Sequence, residues 1–267
     1  MFHAIDHYYP NDLANLNAVK EDGLVLRHIE KQNHQLCYEA VLQNPKAIKY
    51  VKNQTEELNL MAVKANGDLL QFIRHPSYLV ALTAVKNEGL ALRYVFSQDH
   101  EICMAAIRQN GFALKYVNQQ NEIMCLTAVS LTPQAIKYVK KKTDSLCLLA
   151  VRKDGLAIKD IINPSMEMKL QAIENNALAI QYIDNPSKDL CELAVNLRPY
   201  SIQYIVDFYE DLWILALTGR PFAIRFLNQY SEKILKYALK SNPKCIRYIK
   251  KEFISDPILN YYNTLIN

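Results

Sequence analysis

Alanine stands at positions 18, 40, 62, 84, 106, 128, 150, 172, 194, 216 and 238, a step of 22 residues with no insertion and no exception. The residue after it is always apolar (Val19, Val63, Ile107, Leu239), Leu or Ile follows eight places later (Leu26, Ile48, Leu114, Ile246), and Val, Ile or Leu eleven places later (Val51, Val117, Ile249). A fixed period of this length marks stacked supersecondary units, because one such unit cannot bury its apolar face alone.

Each repeat reads as two short helices. The first is preceded by a column of side chains that can accept a hydrogen bond from a free first-turn N–H: Asn11, Asn33, Thr55, Ser77, Asp99, Asn121, Thr143, Ser165, Ser187 and Ser231, with Tyr209 the one misfit. Five places after the alanine the chain turns, at Gly23, Pro45, Gly67, Gly89, Gly111, Pro133, Gly155, Ala177, Pro199, Pro221 and Pro243. Glycine there is expected to close a helix in the left-handed conformation, and proline to open the next one. Asp22, Asn44, Asn66, Asn110, Thr132, Asp154, Asn176 and Asn242 precede the turn as caps for a second helix of about eight residues. A second proline column, Pro10, Pro76, Pro164 and Pro186, punctuates the start of the next repeat.

The fold class that follows is all-α: an α-solenoid of eleven 22-residue helix-turn-helix repeats with terminal caps. As a single domain over 1–267 it divides into an N-terminal cap or tail (1–10), eleven repeats (11–252) and a capping helix (253–267) that begins near Asp256-Pro257. Small residues at the alanine column and seven places later (Ala47, Ala91, Ala113, Ala135) let neighbouring backbones approach, and the array is expected to be elongated and curved.

The run Ala-Val-Lys-x-x-Gly-x-Ala-Leu-x-Tyr-Val, nearly intact at Ala84–Val95 and Ala106–Val117, resembles a tandem helical-hairpin repeat family of unknown function. That family is abundant in giant DNA viruses of amoebae and occurs in some bacteria and phages. The resemblance extends over about nine-tenths of the chain; it implies a helical repeat array, a host cytoplasm or a virion as setting, and no catalytic residue.

Chemistry is sparse. Cys37, Cys103, Cys125, Cys147 and Cys191 share the column three before the alanine, and Cys245 sits in the small-residue column. Side chains one repeat apart, at about 8–10 Å, do not converge on a metal and exceed the ~7 Å reach of a disulfide. Free thiols and a reducing, cytoplasmic compartment are therefore expected. His3 and His7, four apart, have no third partner, so no metal site and no cofactor are expected. No phosphate loop, nucleophile elbow or dinucleotide fingerprint is present, and nothing breaks the repeat to make an active site. No apolar run reaches the ~18 residues of a membrane span, and the N-terminus reads as no secretory signal.

One column points to function. Nine places after the alanine stand Arg27, Lys49, Gln71, Arg93, Lys115, Lys137, Lys159, Gln181, Gln203, Arg225 and Arg247, with no acid among them. Beside it runs an aromatic column including Tyr50, Phe72, Tyr94, Tyr116, Tyr138, Tyr182, Tyr204, Phe226 and Tyr248. A solvated helical position tolerates Glu, so its absence from eleven copies needs a reason. The expectation is a non-enzymatic protein-interaction scaffold whose partner touches Arg27, Lys49, Arg93, Lys115, Lys137, Lys159, Arg225 and Arg247, with the centre of the strip at Lys115, Lys137 and Lys159. Two alternatives stand beside it: nucleic-acid or other polyanion binding through the same ladder, bases stacking on the rings, and a structural role in a virion or similar assembly. The formal charge of only +4 weighs against a polyanion partner, and the basic side chains can instead pair with acids near the first-helix starts.

Overall fold

The computed structural model describes residues 10–266, with side chains from Leu13 onward. Among these residues every element is helical and none is a strand. The α-helices are α1 (Pro10–Glu21), α2 (His34–Gln43), α3 (Glu56–Ala65), α4 (Tyr78–Asn87), α5 (His100–Gln109), α6 (Glu122–Leu131), α7 (Asp144–Lys153), α8 (Met166–Asn175), α9 (Lys188–Leu197), α10 (Glu210–Gly219), α11 (Glu232–Ser241) and α12 (Asp256–Ile266). The protein is an α-solenoid of regularly spaced repeats. Its chain divides into two compact units between Lys140 and Lys141. Within each unit an α-helix packs on the α-helix of the adjacent repeat, and no element reaches past that neighbour. His3 and His7 lie outside the described residues, as does most of the expected N-terminal cap or tail. The first member of the cap column departs from expectation: α1 already begins at Pro10 and contains Asn11.

The other predicted first-helix caps are in place. Asn33 Oδ1 accepts from the Leu36 N–H at 2.9 Å and Asp99 Oδ1 from that of Ile102 at 2.8 Å. Thr55, Ser77, Asn121, Thr143, Ser165, Ser187 and Ser231 do the same three residues on, and Tyr209 does not.

The second half of each repeat corrects the expectation of an eight-residue helix. It is a six-residue 3-10 helix, as at Pro45–Tyr50, Gly111–Tyr116 and Pro133–Tyr138. Where a cap bond forms it matches the tightness, although Gly89–Tyr94 takes the same form without one. Asn44 Oδ1 accepts from the Lys46 N–H, two residues on rather than three, and the segment closes three residues back with Val51 N–H to Ile48 O. Thr132, expected to cap, makes no such bond; Pro133 at the next position fixes the entry instead. A 3-10 helix has three residues per turn, so residues three apart lie over one another. Ile48 and Val51 are both buried and Lys46, Lys49 and Lys52 all exposed, and this period aligns the basic ladder on the outer side.

The glycine column is also corrected. No glycine among the described residues has positive φ. What glycine supplies is close approach: a Cβ on Gly23 or Gly155 would strike the carbonyl oxygen of Ala40 or Ala172 in the next repeat. The N–H it retains is used there as well. Gly23 donates to Gln43 Oε1 at 2.7 Å, Gly89 to Gln109 Oε1 at 2.6 Å and Gly155 to Asn175 Oδ1 at 2.7 Å. Where the turn is Pro45, Pro133, Pro199 or Pro221 there is no N–H to satisfy, and the residue twenty places on is Ala65, Lys153, Gly219 or Ser241 rather than an amide. In these three repeats the two columns are coupled through one hydrogen bond, whereas Gly111 faces Leu131 and has no such acceptor.

In the first unit a further clamp joins neighbours. Gln98 Nε2 donates to the Tyr116 carbonyl at 2.9 Å, and its Oε1 accepts from the Asn118 N–H at 3.0 Å. Gln32, Gln54 and Gln120 bridge in the same way to Tyr50 and Lys52, Phe72 and Arg74, and Tyr138 and Lys140. Pro76 interrupts the clamp column in the first unit, and the second unit has Lys142, Pro164, Pro186, Phe208 and Tyr230 there.

The core is the set of periodic columns: Ala128, Val129, Ala135 and Ile136 in the first unit and Ala150, Val151 and Ala157 in the second are 0% exposed. α12 covers the last repeat through Ile258, itself 0% exposed. Two core positions carry unpaired polar atoms, Asn59 Oδ1 in the cysteine column and Ser201 Oγ in the small-residue column. A buried hydroxyl without a partner carries its desolvation cost uncompensated. Ser201→Ala, which restores the alanine most repeats have there, is expected to stabilise by about 1 kcal/mol. A raised thermal midpoint checks it; a lowered one would show that the hydroxyl is bonded in solution.

Candidate partner-binding surface

All eight basic members of the ladder are exposed. Their surroundings differ from the expected pairing with first-helix acids. In the first unit the ladder cations sit on aromatic rings. Lys49 Nζ lies 5.7 Å from the Tyr50 centroid and 5.5 Å from that of Phe72. Lys115 Nζ lies 5.3 Å from Tyr116 and 5.9 Å from Tyr138, and Lys137 Nζ 4.9 Å from Tyr138 and 5.3 Å from Phe112. The Arg93 guanidinium is 4.7 Å from the Tyr94 ring. In the second unit Arg225 stands over Tyr200 at 5.2 Å and Phe226 at 4.8 Å. Such a contact contributes about 0.5–1 kcal/mol at an exposed site. That answers the absence of acids from this column: a carboxylate over the negative face of a ring is repelled.

Arg93 alone among these also meets a carboxylate, with Nη2 at 3.1 Å from both oxygens of Asp68. Partial burial opposes its charge, but hydrogen bonds to Tyr94 and Tyr116 and the charge of Asp68 outweigh that and raise its pKa. Arg27 instead donates to His28 Nε2 at 2.7 Å. The three glutamines behave alike: Gln71, Gln181 and Gln203 fold back to the carbonyls of Asp68, Leu178 and Tyr200. Ion pairs with first-helix acids do form, but from basic residues outside the ladder, such as Lys20 with Glu39, Arg152 with Glu167 and Lys233 with Glu210. For Lys159 and Arg247 the structure gives neither a ring nor an acid as partner.

All six cysteines are free thiols in buried positions. Burial raises the pKa of each, that of Cys245 to about 11, so the unreactive thiol form dominates at neutral pH. Among the described residues no three His, Cys, Asp or Glu side chains gather to hold a metal ion, and no helix is long and apolar enough to cross a membrane. One exposed column escaped the sequence reading. Phe96 in the first unit, and Ile162 and Val206 in the second, are 94%, 83% and 93% exposed twelve places after their alanines. Their signal was legible as apolar residues in a column otherwise mostly charged or polar.

Residues 78–124 match the profile of a domain of unknown function, DUF4116. The matched stretch runs from the start of α4 into α6 and carries Arg93 and Lys115, but it is under a fifth of the chain. No curated protein matches the chain. No solved structure matches it either.

Proposed function

We propose that the chain is a non-enzymatic repeat scaffold that holds an acidic partner protein on the outer side of its 3-10 helices. The observation that carries this reading is the row Lys49, Arg93, Lys115 and Lys137 in the first unit, each exposed and each poised over a ring. A lysine free in solution loses side-chain entropy when a partner immobilises it, about 0.5–1.5 kcal/mol each. Resting on rings, these side chains have lost part of that freedom before binding, while their charge stays open to a carboxylate. The free, buried thiols suit a reducing compartment such as the cytoplasm.

The same geometry weighs against nucleic acid. Base stacking needs open ring faces, and in the first unit the cations already cover them. The test is Lys115→Glu with Lys137→Glu, assayed for melting and for capture of protein from a lysate of the native host. Capture is expected to fall tenfold or more, about 1.4 kcal/mol, with folding retained. Undiminished capture would refute the surface. A complex that tracked phosphates would lose about 10³–10⁵ in affinity between 50 and 200 mM salt; a fall of that size would move the assignment to a polyanion.

A further inference from the structure

Two adjacent repeats each break the pattern once. From the second repeat on, the column three before the alanine is buried elsewhere, as Cys, Asn59, Ala81, Trp213 or Leu235, but at position 169 it is a half-buried lysine. The aromatic column holds Asp160 in the repeat just before, so Lys159 lacks the ring beside it that Lys115 and Lys137 rest on. In the first unit, side chains of the Lys169 column meet the glutamine clamp, as Cys103 Sγ meets Gln98 Oε1 at 3.8 Å. Before Lys169 that clamp position is Pro164, which offers no side-chain acceptor. The structure gives neither ammonium an acid or hydrogen-bond partner among the described residues.

Both lysines line one cavity within the second unit, about 730 Å³ in volume and open to solvent on one side. Asn163, Gln181, Tyr182 and Asp184 share its wall. One Gln181 amide N–H is given to the Leu178 carbonyl, so the free donors are the two ammoniums, the Asn163 amide, the Tyr182 hydroxyl and the second Gln181 N–H. Two positive charges face one carboxylate, Asp184. The volume falls in the range of roughly 300–1,000 Å³ usual for small-ligand sites. A half-buried lysine with no internal counter-ion leaves its charge to water or to an anion that enters the cavity. We propose that this cavity binds a small oxyanion, a phosphate ester or a dicarboxylate, held between Lys159 and Lys169. The site does not depend on the partner surface proposed above.

The experiment uses the full chain labelled with nitrogen-15 and titrated with inorganic phosphate in one arm and succinate in the other, at constant ionic strength made up with chloride. Saturable shifts of amides within residues 158–184 are expected for at least one probe, and the arm that responds names the oxyanion. Lys169→Cys restores the commonest residue of the column, so it is expected to melt no lower than the parent while binding at least tenfold more weakly. Lys159→Gln removes the other charge from an exposed position, with the same loss. No saturable shift from either probe would overturn the proposal. So would undiminished affinity in either variant.

Discussion

Ile136→Ala is expected to destabilise the protein by about 2–5 kcal/mol, the cost of deleting buried methyl groups and leaving a cavity. Ile136 is 0% exposed and occupies the column that also buries Leu92 and Leu114. In an array each repeat touches only its neighbours, so a cavity at such a position loosens the packing on the adjacent repeat. The denaturant midpoint should fall with little change in slope, the signature of altered stability rather than altered compactness. The equivalent Ile246 of the last repeat is only half-buried, and its truncation should cost less. Equal losses at the two sites would contradict the assigned core.

Gln98→Met carries the second large effect. Methionine nearly matches the volume of glutamine but leaves the Tyr116 carbonyl and the Asn118 N–H without their partner in the preceding repeat. The exposed Asn118 N–H can turn to water, while orphaning the part-buried Tyr116 carbonyl costs about 1–3 kcal/mol. The adjacent Gln119 is exposed, and Gln119→Met should stay within about 0.5 kcal/mol. Thermal melts of the two variants side by side decide it. A Gln98 variant as stable as the Gln119 variant would show that water replaces the clamp.

The clamp was written in the sequence as Gln32, Gln54, Gln98 and Gln120, yet only its proline members drew notice. Proline announces itself locally through its fixed φ, whereas a bridging glutamine announces nothing until the groups eighteen and twenty residues on are placed beside it. The same holds for Gly89 and Gln109. Their pairing is a regularity between two columns, invisible when each is read alone. The α-helices were legible because their cap, apolar face and alanine all repeat. The 3-10 form was not, because an apolar pattern over six residues fits three residues per turn about as well as 3.6.

The ladder was legible as charge but not as chemistry. Its lysines and its aromatic column were both read, yet as parallel features whose cations would turn to first-helix acids. The tight 3-10 turn instead brings Lys115 over Tyr116 and over Tyr138 of the next repeat. Lys169 was missed for a different reason. The cysteine column was read for what its cysteines could do together, and the repeat that replaces cysteine with lysine passed as noise. In a periodic chain the departures deserve the closer reading, since period and packing already account for the rest.

The partner surface is tested most directly by amide hydrogen exchange on the full chain, alone and in complex with the protein it captures. Binding on the outer side of the 3-10 helices should add protection at residues 45–50, 89–94, 111–116 and 133–138 and leave α5 and α6 at their free-state rates. Added protection confined to α5 and α6, with those four segments unchanged, would contradict the account.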